Sequence, residues 1–163
     1  MLALVSPAKK LDFTELAAPI VHSQPDFLDR SQILIEAARK LSRADLSRLM
    51  KLSDKLTELN FQRFKAFALP FTTANAKQAV LAFSGDTYVG FDAATLSEGD
   101  LVYAQDHLRI LSGLYGLLRP LDLVQPYRLE MGSRLQNPEG SDLYDFWADD
   151  LAEAIDRAVS DHK

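Results

Sequence analysis

The sequence predicts an α+β fold: a mainly helical chain with a few strands forming a mixed sheet and a helix-hairpin-helix-like element. Three observations carry this. Between residues 26 and 69, apolar side chains recur at helical spacing over long segments. Short β-prone runs at 2–5, 79–83 and 127–131 are scattered and do not alternate regularly with helices. With 163 residues, 47% apolar and 25% charged, the chain suits one globular domain, 1–163.

Residues 2–5 form an apolar run closed by Ser6-Pro7, which reads as a buried strand feeding a loop. The next twenty residues, with Pro19 and Pro25, read as irregular. From Asp26 the pattern turns helical, with Phe27, Leu28, Ile33, Leu34, Ala37, Ala38 and Leu41 on one broad face. Ser42 is placed to cap a short second helix holding Leu46, Leu49 and Met50. Ser53 is placed to cap a third, with Leu56, Leu59, Phe64 and Phe67 inward, ending before Pro70. The run 79–83 is apolar and bounded by Gly85-Asp86, so a strand is expected there. Residues 101–111 read as helix. After Pro126 the segment 127–131 alternates and reads as a further strand. The last helix is expected from Ser141 to about residue 159, with Leu143, Phe146, Trp147, Leu151, Ile155 and Val159 on its buried side.

Composition excludes several function classes. The 18 Lys/Arg and 23 Asp/Glu leave a net charge of −5, which argues against bulk charge holding the protein to nucleic acid or anionic membrane. No cysteine is present, so disulfide scaffolds, thiolate metal sites and cysteine nucleophiles are excluded. No signal-peptide core and no run of about 18 apolar residues is found, so a cytoplasmic protein without membrane partners is expected. The charge is uneven. Residues 1–80 carry a net of +4 and residues 81–163 a net of −9. The positive part is concentrated in 39–65, which reads either as a local basic face or as a solvated helix surface.

Three segments carry candidate chemistry. Gly113, Leu114, Tyr115 and Gly116, between apolar stretches, have the glycine–apolar–x–glycine pattern of a hairpin between two helices. Such a hairpin brings backbone N–H groups close to DNA phosphate. Pro120 limits any second helix, and a glycine-tipped turn packing two helices together is the other reading. In Tyr127–Arg128–Leu129–Glu130–Met131, a strand would put Arg128 and Glu130 on one face. They would pair there or line a polar cleft with Arg119 and Arg134. Ser6 and Lys9, after the first strand, suit a bound anion or an activated hydroxyl. His22, His107 and His162 lie at no metal-ligand spacing and Asp149-Asp150 reads as solvated surface. Neither a tightly bound metal nor a cofactor is expected.

Ser6-Pro-Ala-Lys9, Ser53-Asp-Lys-Leu56, and above all Leu111-Ser-Gly-Leu-Tyr-Gly-Leu-Leu-Arg-Pro-Leu-Asp122 followed by Gln125-Pro-Tyr-Arg-Leu-Glu-Met-Gly132, resemble the YaaA peroxide-stress protein family. The likeness runs from Met1 to about Asp156. It implies a cytosolic bacterial protein that limits damage during hydrogen peroxide stress and keeps intracellular free iron low. It also implies an unusual α+β fold with a basic cleft, a helix–hairpin–helix element and double-stranded DNA binding. Carried over, the hairpin falls on Gly113, Leu114, Tyr115 and Gly116, and the cleft on Ser6, Lys9, Arg119, Tyr127 and Arg128. Family members continue through further strands and a Lys/Arg-rich helix, so a domain truncated at its C-terminus is expected. Lys10 also departs from the small polar residue expected there.

The leading expectation is a protein that binds double-stranded DNA non-specifically and helps limit damage from intracellular iron. Gly113, Leu114, Tyr115, Gly116, Arg119 and Arg128 are its candidate contacts. The alternative is an enzyme acting on a nucleotide, nucleobase or damaged nucleic acid in a polar cleft of Ser6, Lys9, Tyr127, Arg128 and Glu130. A third, a partner-binding module, draws on an open core edge.

Overall fold

Serine caps set the helical half of the molecule. The computed structural model describes residues 1–162. Its first half holds β1 (Ala3–Val5), α1 (Leu28–Arg39), α2 (Arg43–Met50), α3 (Asp54–Ala66) and β2 (Lys77–Gln78), followed by α4 (Ala79–Ala82), α5 (Asp86–Phe91) and a 3-10 turn at Ala93–Thr95. Then come α6 (Glu98–His107), β3 (Leu108–Ser112), β4 (Gly116–Leu118), β5 (Leu123–Val124), α7 (Leu143–Trp147) and α8 (Asp150–Ser160). Ser42 accepts the Asp45 N–H while the Asp45 carboxylate accepts the Ser42 N–H, satisfying two amides that lack helical partners. Ser53 caps α3 by accepting the Leu56 N–H.

The three long helices meet through Leu34, Ile35 and Ala38 of α1, Leu46 and Met50 of α2, and Phe64 of α3. The buried stripe of α3 is Thr57, Asn60 and Phe64. Leu56 and Leu59, expected inward, are instead more than a third exposed. Asn60 tolerates burial because its side-chain amide donates to the Leu56 carbonyl within the same helix.

The main sheet is mixed, in the order β1-β3-β4. β1 is parallel to β3, with Ala3 opposite Leu108 and Val5 opposite Ile110, and β3 is antiparallel to β4. A parallel pair requires a long crossover; here everything between Val5 and Leu108 serves as one. A second, two-stranded antiparallel sheet joins β2 to β5. These elements give the α+β class the sequence predicts.

Several local expectations change. The run 79–83 opens with a helical turn, since a short apolar run has no periodicity to separate helix from strand. The Ala79 and Val80 N–H groups donate to the Asp122 and Pro120 carbonyls, and the ladder falls on Lys77–Gln78 instead. The helix expected over 101–111 ends at His107, because the following residues are drawn into the ladder with β1. Segment 127–131 joins no ladder, yet its side chains still alternate: Tyr127 and Leu129 are buried, Arg128 is half-buried and Glu130 exposed. The last helix is two, α7 and α8, broken at Ala148 with φ 41°.

The hairpin is the largest correction. Residues 113–115 join strand β3 to β4, which opens at Gly116, so the segment is a β-hairpin and no helix flanks it immediately on either side. Leu114 and Tyr115 are fully buried. A Cβ at Gly113 would lie 2.4 Å from the Leu129 carbonyl oxygen, and one at Gly116 would lie 2.9 Å from the Trp147 ring. The Trp147 indole N–H donates to the Gly113 carbonyl at 2.9 Å. Both glycines are demanded by close packing within the chain.

Three outcomes follow from this packing. Gly116, at φ +74°, meets Trp147 closely, so Gly116→Ala combines left-handed strain with overpacking and is expected to lower stability by roughly 3 kcal/mol in urea denaturation. Ala148→Gly removes the strain of a positive φ and is expected to raise stability by about 1 kcal/mol in the same assay. Burial pushes the Tyr88, Tyr115 and Tyr127 phenols above their ordinary value of 10.0. The unfolded chain releases these protons near pH 10 while the folded chain retains them, so their contribution is full below that pH and is lost as pH rises beyond it. Absorbance titration of the phenolate band is expected to show three of the five tyrosines ionising only as the chain unfolds.

Candidate functional site

Because β1 and β3 are parallel, both end at the same edge of the sheet. Ser6-Pro7-Ala8-Lys9 leaves β1 at that edge, and residues 127–131 cross it against Gly113. Between them lies a cavity of about 390 Å³ bordered by Ser6, Lys9, Leu111, Tyr127, Arg128 and Glu130, with Pro7, Ala8, Leu129 and Met131 adding apolar wall. The carboxyl ends of parallel strands are where open sheets most often collect ligands. Five residues that lie far apart in sequence, Ser6, Lys9, Tyr127, Arg128 and Glu130, are thus brought together as the sequence reading grouped them.

The floor of the cavity is fully engaged. Tyr127 Oη and Ser112 Oγ are hydrogen-bonded at 2.6 Å, and Ser112 Oγ also accepts the Tyr115 N–H. Tyr115 Oη in turn accepts the Gln125 N–H and donates to the Gln125 carbonyl. The Gln125 side chain clasps both the N–H and the carbonyl of Ala68. Tyr88 Oη donates to the Ser6 carbonyl at 2.6 Å. Tyr115 and Tyr127 rings meet edge to face at 5.0 Å. Such a network holds the chain leading into Arg128 rigidly.

The mouth is different. The Arg128 side chain is only 17% exposed, and its Nε is buried with no hydrogen-bond partner. Glu130 Oε1 is 3.8 Å from Arg128 Nη2, beyond hydrogen-bond range, and 3.1 Å from Lys9 Nζ. Arg63, on α3, is a further neighbour: burial and the nearby Arg128 guanidinium push its pKa below the ordinary arginine value. Lys9 is paired with Glu130, so no base is positioned on the Ser6 hydroxyl. The arrangement has the chemistry of an anion receptor with apolar walls.

Other sequence candidates lie elsewhere. Arg119 sits beyond the end of β4, opposite the cavity edge of the sheet, and is engaged by Asp122 at 3.0 Å, Asp26 at 3.4 Å and the Gln24 carbonyl. Gly113, Leu114, Tyr115 and Gly116 lie beneath the cavity as buried support. Arg134 is exposed and does not line it. Part of the basic stretch 39–65 is engaged within the helical layer. Arg39 donates to the Phe64 and Phe67 carbonyls, Arg43 pairs with Glu58, and Arg48 pairs with Asp45. Sequence reasoning counted Arg63 only as one of these charges and missed its place beside Arg128, as it missed Leu111 and Met131 as walls. No short-range signal marks them. Among the described residues, no group of three or more His, Asp or Glu is arranged to hold a metal ion, and no helix is long and apolar enough to cross a membrane.

Similarity to known proteins covers the whole chain. The family described as peroxide stress protein YaaA matches residues 1–163. UPF0246 proteins from Shewanella baltica strains OS195 and OS185 are each 56% identical over 161 residues, and one from strain OS155 is 55% identical over the same length. Each alignment covers 99% of this chain and 63% of the relative, so the chain spans under two thirds of the length of these relatives. With the match running through both the cleft residues and the buried hairpin, the chain belongs to the YaaA peroxide stress protein family.

Proposed function

We propose that this chain acts in peroxide stress as a cytoplasmic protein that binds double-stranded DNA without regard to base sequence. By covering DNA it helps limit damage from intracellular iron. The observation that carries the reading is Arg128: a guanidinium held mostly out of water, with a buried N–H unpartnered, at the mouth of a cleft shared with Lys9. A net charge of −5 gives no general attraction to DNA, so affinity must come from such local cations. In this reading Lys9 and Arg128 meet phosphates, while Gly113, Leu114, Tyr115 and Gly116 hold the cleft in shape from below. Arg119, already engaged with two carboxylates, acts in the fold.

The alternative, an enzyme acting on a nucleotide, nucleobase or damaged nucleic acid, is favoured by one feature. The cavity, about 390 Å³ with apolar walls and a few converging charges, is sized for a small ligand. Competition by a mononucleotide against labelled duplex separates the two, since a small-ligand site is emptied at far lower nucleotide concentration than a surface that tracks DNA.

Fluorescence anisotropy with a short labelled duplex across a salt series tests the main reading. Each phosphate contact contributes a slope of about 0.9 in log K against log salt, so Arg128→Ala and Lys9→Ala are each expected to lower the slope by about one. Arg119→Ala is expected to leave the slope unchanged and to lower thermal stability instead. An unaltered slope in Arg128→Ala removes the cleft from the DNA surface.

A further inference from the structure

We infer that Glu130 is an internal substitute for a ligand phosphate: the cleft takes one phosphoryl group between Lys9 and Arg128, and binding displaces the Glu130 carboxylate from them. This rests on reading the cleft as a phosphate-binding site, and adds how the site is occupied before its ligand arrives. Glu130 approaches both cations through one oxygen, at 3.1 Å from Lys9 Nζ and 3.8 Å from Arg128 Nη2. The first contact is an ion pair in good geometry, and the second is too long to be a hydrogen bond. One carboxylate therefore bridges two cations and fully satisfies only one of them.

The two sides of this contact differ in freedom. The Lys9 and Glu130 side chains are each more than half exposed, and a pair of that kind is weak and readily exchanged for water or another anion. Arg128 is better held, since its side chain is mostly out of water and its chain neighbours Tyr127 and Leu129 are both buried in the core. A guanidinium presents five donors in a planar fork suited to two oxygens at once, and here its buried Nε has no partner. A tetrahedral phosphoryl group has enough oxygens to meet the Arg128 fork and the Lys9 ammonium together, which a single carboxylate oxygen does not. Lys9 and Arg128 carry two positive charges against the lone carboxylate of Glu130. A local surplus of positive charge remains for an incoming anion. Glu130 thereby screens the site in the free protein and weakens binding to any anion that cannot displace it.

Glu130→Gln removes the charge and preserves the shape of an exposed side chain. Two probes are used on the full chain: labelled DNA duplex by anisotropy, and inorganic phosphate by calorimetry and by competition against the duplex. The variant is expected to tighten binding by about fivefold, the scale of removing one competing charge from a part-exposed pair. Glu130→Ala should act in the same direction, and Arg128→Ala in the Glu130→Gln background should abolish the gain. Tightening for phosphate and duplex together identifies the displaced group with a phosphate of the DNA; tightening for phosphate alone identifies it with a free phosphate or phosphomonoester. Unchanged or weaker binding in Glu130→Gln, or a gain that survives loss of Arg128, overturns the inference. If wild-type duplex binding still shows an Arg128-dependent salt slope in that case, the DNA reading stands and only the substitute role falls. Failure of both probes to bind either protein overturns both.

Discussion

The backbone of residues 129–131 passes so close to Gly113 that one methyl group there would overlap the Leu129 carbonyl. This approach ties the hairpin turn to the segment that carries the site. It brings Tyr127 within 2.6 Å of Ser112, at the end of β3, and lets Tyr115 lock Gln125 through both of its backbone polar groups. On the opposite side of the same turn Trp147 closes over Gly116 and donates to Gly113, fixing α7 against the sheet. Two large aromatic side chains, Trp147 and Tyr115, are fully buried at this point, and aromatic burial of that extent dominates the packing of a core.

With the turn locked, the division of labour in the cleft follows from alternation. Tyr127 and Leu129 go inward to the core, which sends Arg128 and Glu130 to the mouth. Parallel pairing of β1 with β3 brings Ser6 and Lys9 to the same edge from the other end of the chain. The floor consists of polar groups that satisfy one another, whereas at the mouth Glu130 pairs with Lys9 and leaves Arg128 incompletely paired. A rigid floor beneath an incompletely paired guanidinium is an arrangement suited to binding, since the receptor is ordered before its ligand arrives and loses little freedom on meeting it.

The same geometry shapes the proposed contact with DNA. Backbone amides inside a fully buried turn are enclosed by Trp147, Tyr127 and Leu129, so phosphate contacts fall to side chains at the cleft mouth. Lys9 and Arg128 supply charge without reading bases, which accords with binding that tolerates any sequence and weakens with salt. Within the 39–65 stretch, Arg39 is engaged with helix-end carbonyls and Arg43 and Arg48 with carboxylates, contacts that stabilise the helical layer.

The sequence by itself determined the features that depend on near neighbours. The Ser42 and Ser53 caps and the three long helices rest on contacts within a few residues, and the inward places of Leu143, Phe146 and Trp147 and the alternation of Tyr127 through Glu130 are written in the local apolar pattern. The family likeness also grouped Ser6 and Lys9 with Tyr127 and Arg128, though it added Arg119, which lies away from the cavity. Only the tertiary structure decided where a local pattern was ambiguous or a distant partner intervened. A buried apolar run at 79–83 is equally compatible with helix and strand, and the nearby chain at Pro120 and Asp122 resolves it. Residues 108–110 become strand because β1, more than a hundred residues away, pairs with them. The glycines of 113–116 signal a close approach, but not what approaches; that it is Leu129 and Trp147 follows from packing across the whole chain. Arg63 feels the charge of Arg128 for the same reason, since charges far apart in sequence act on one another only when the core that carries them closes.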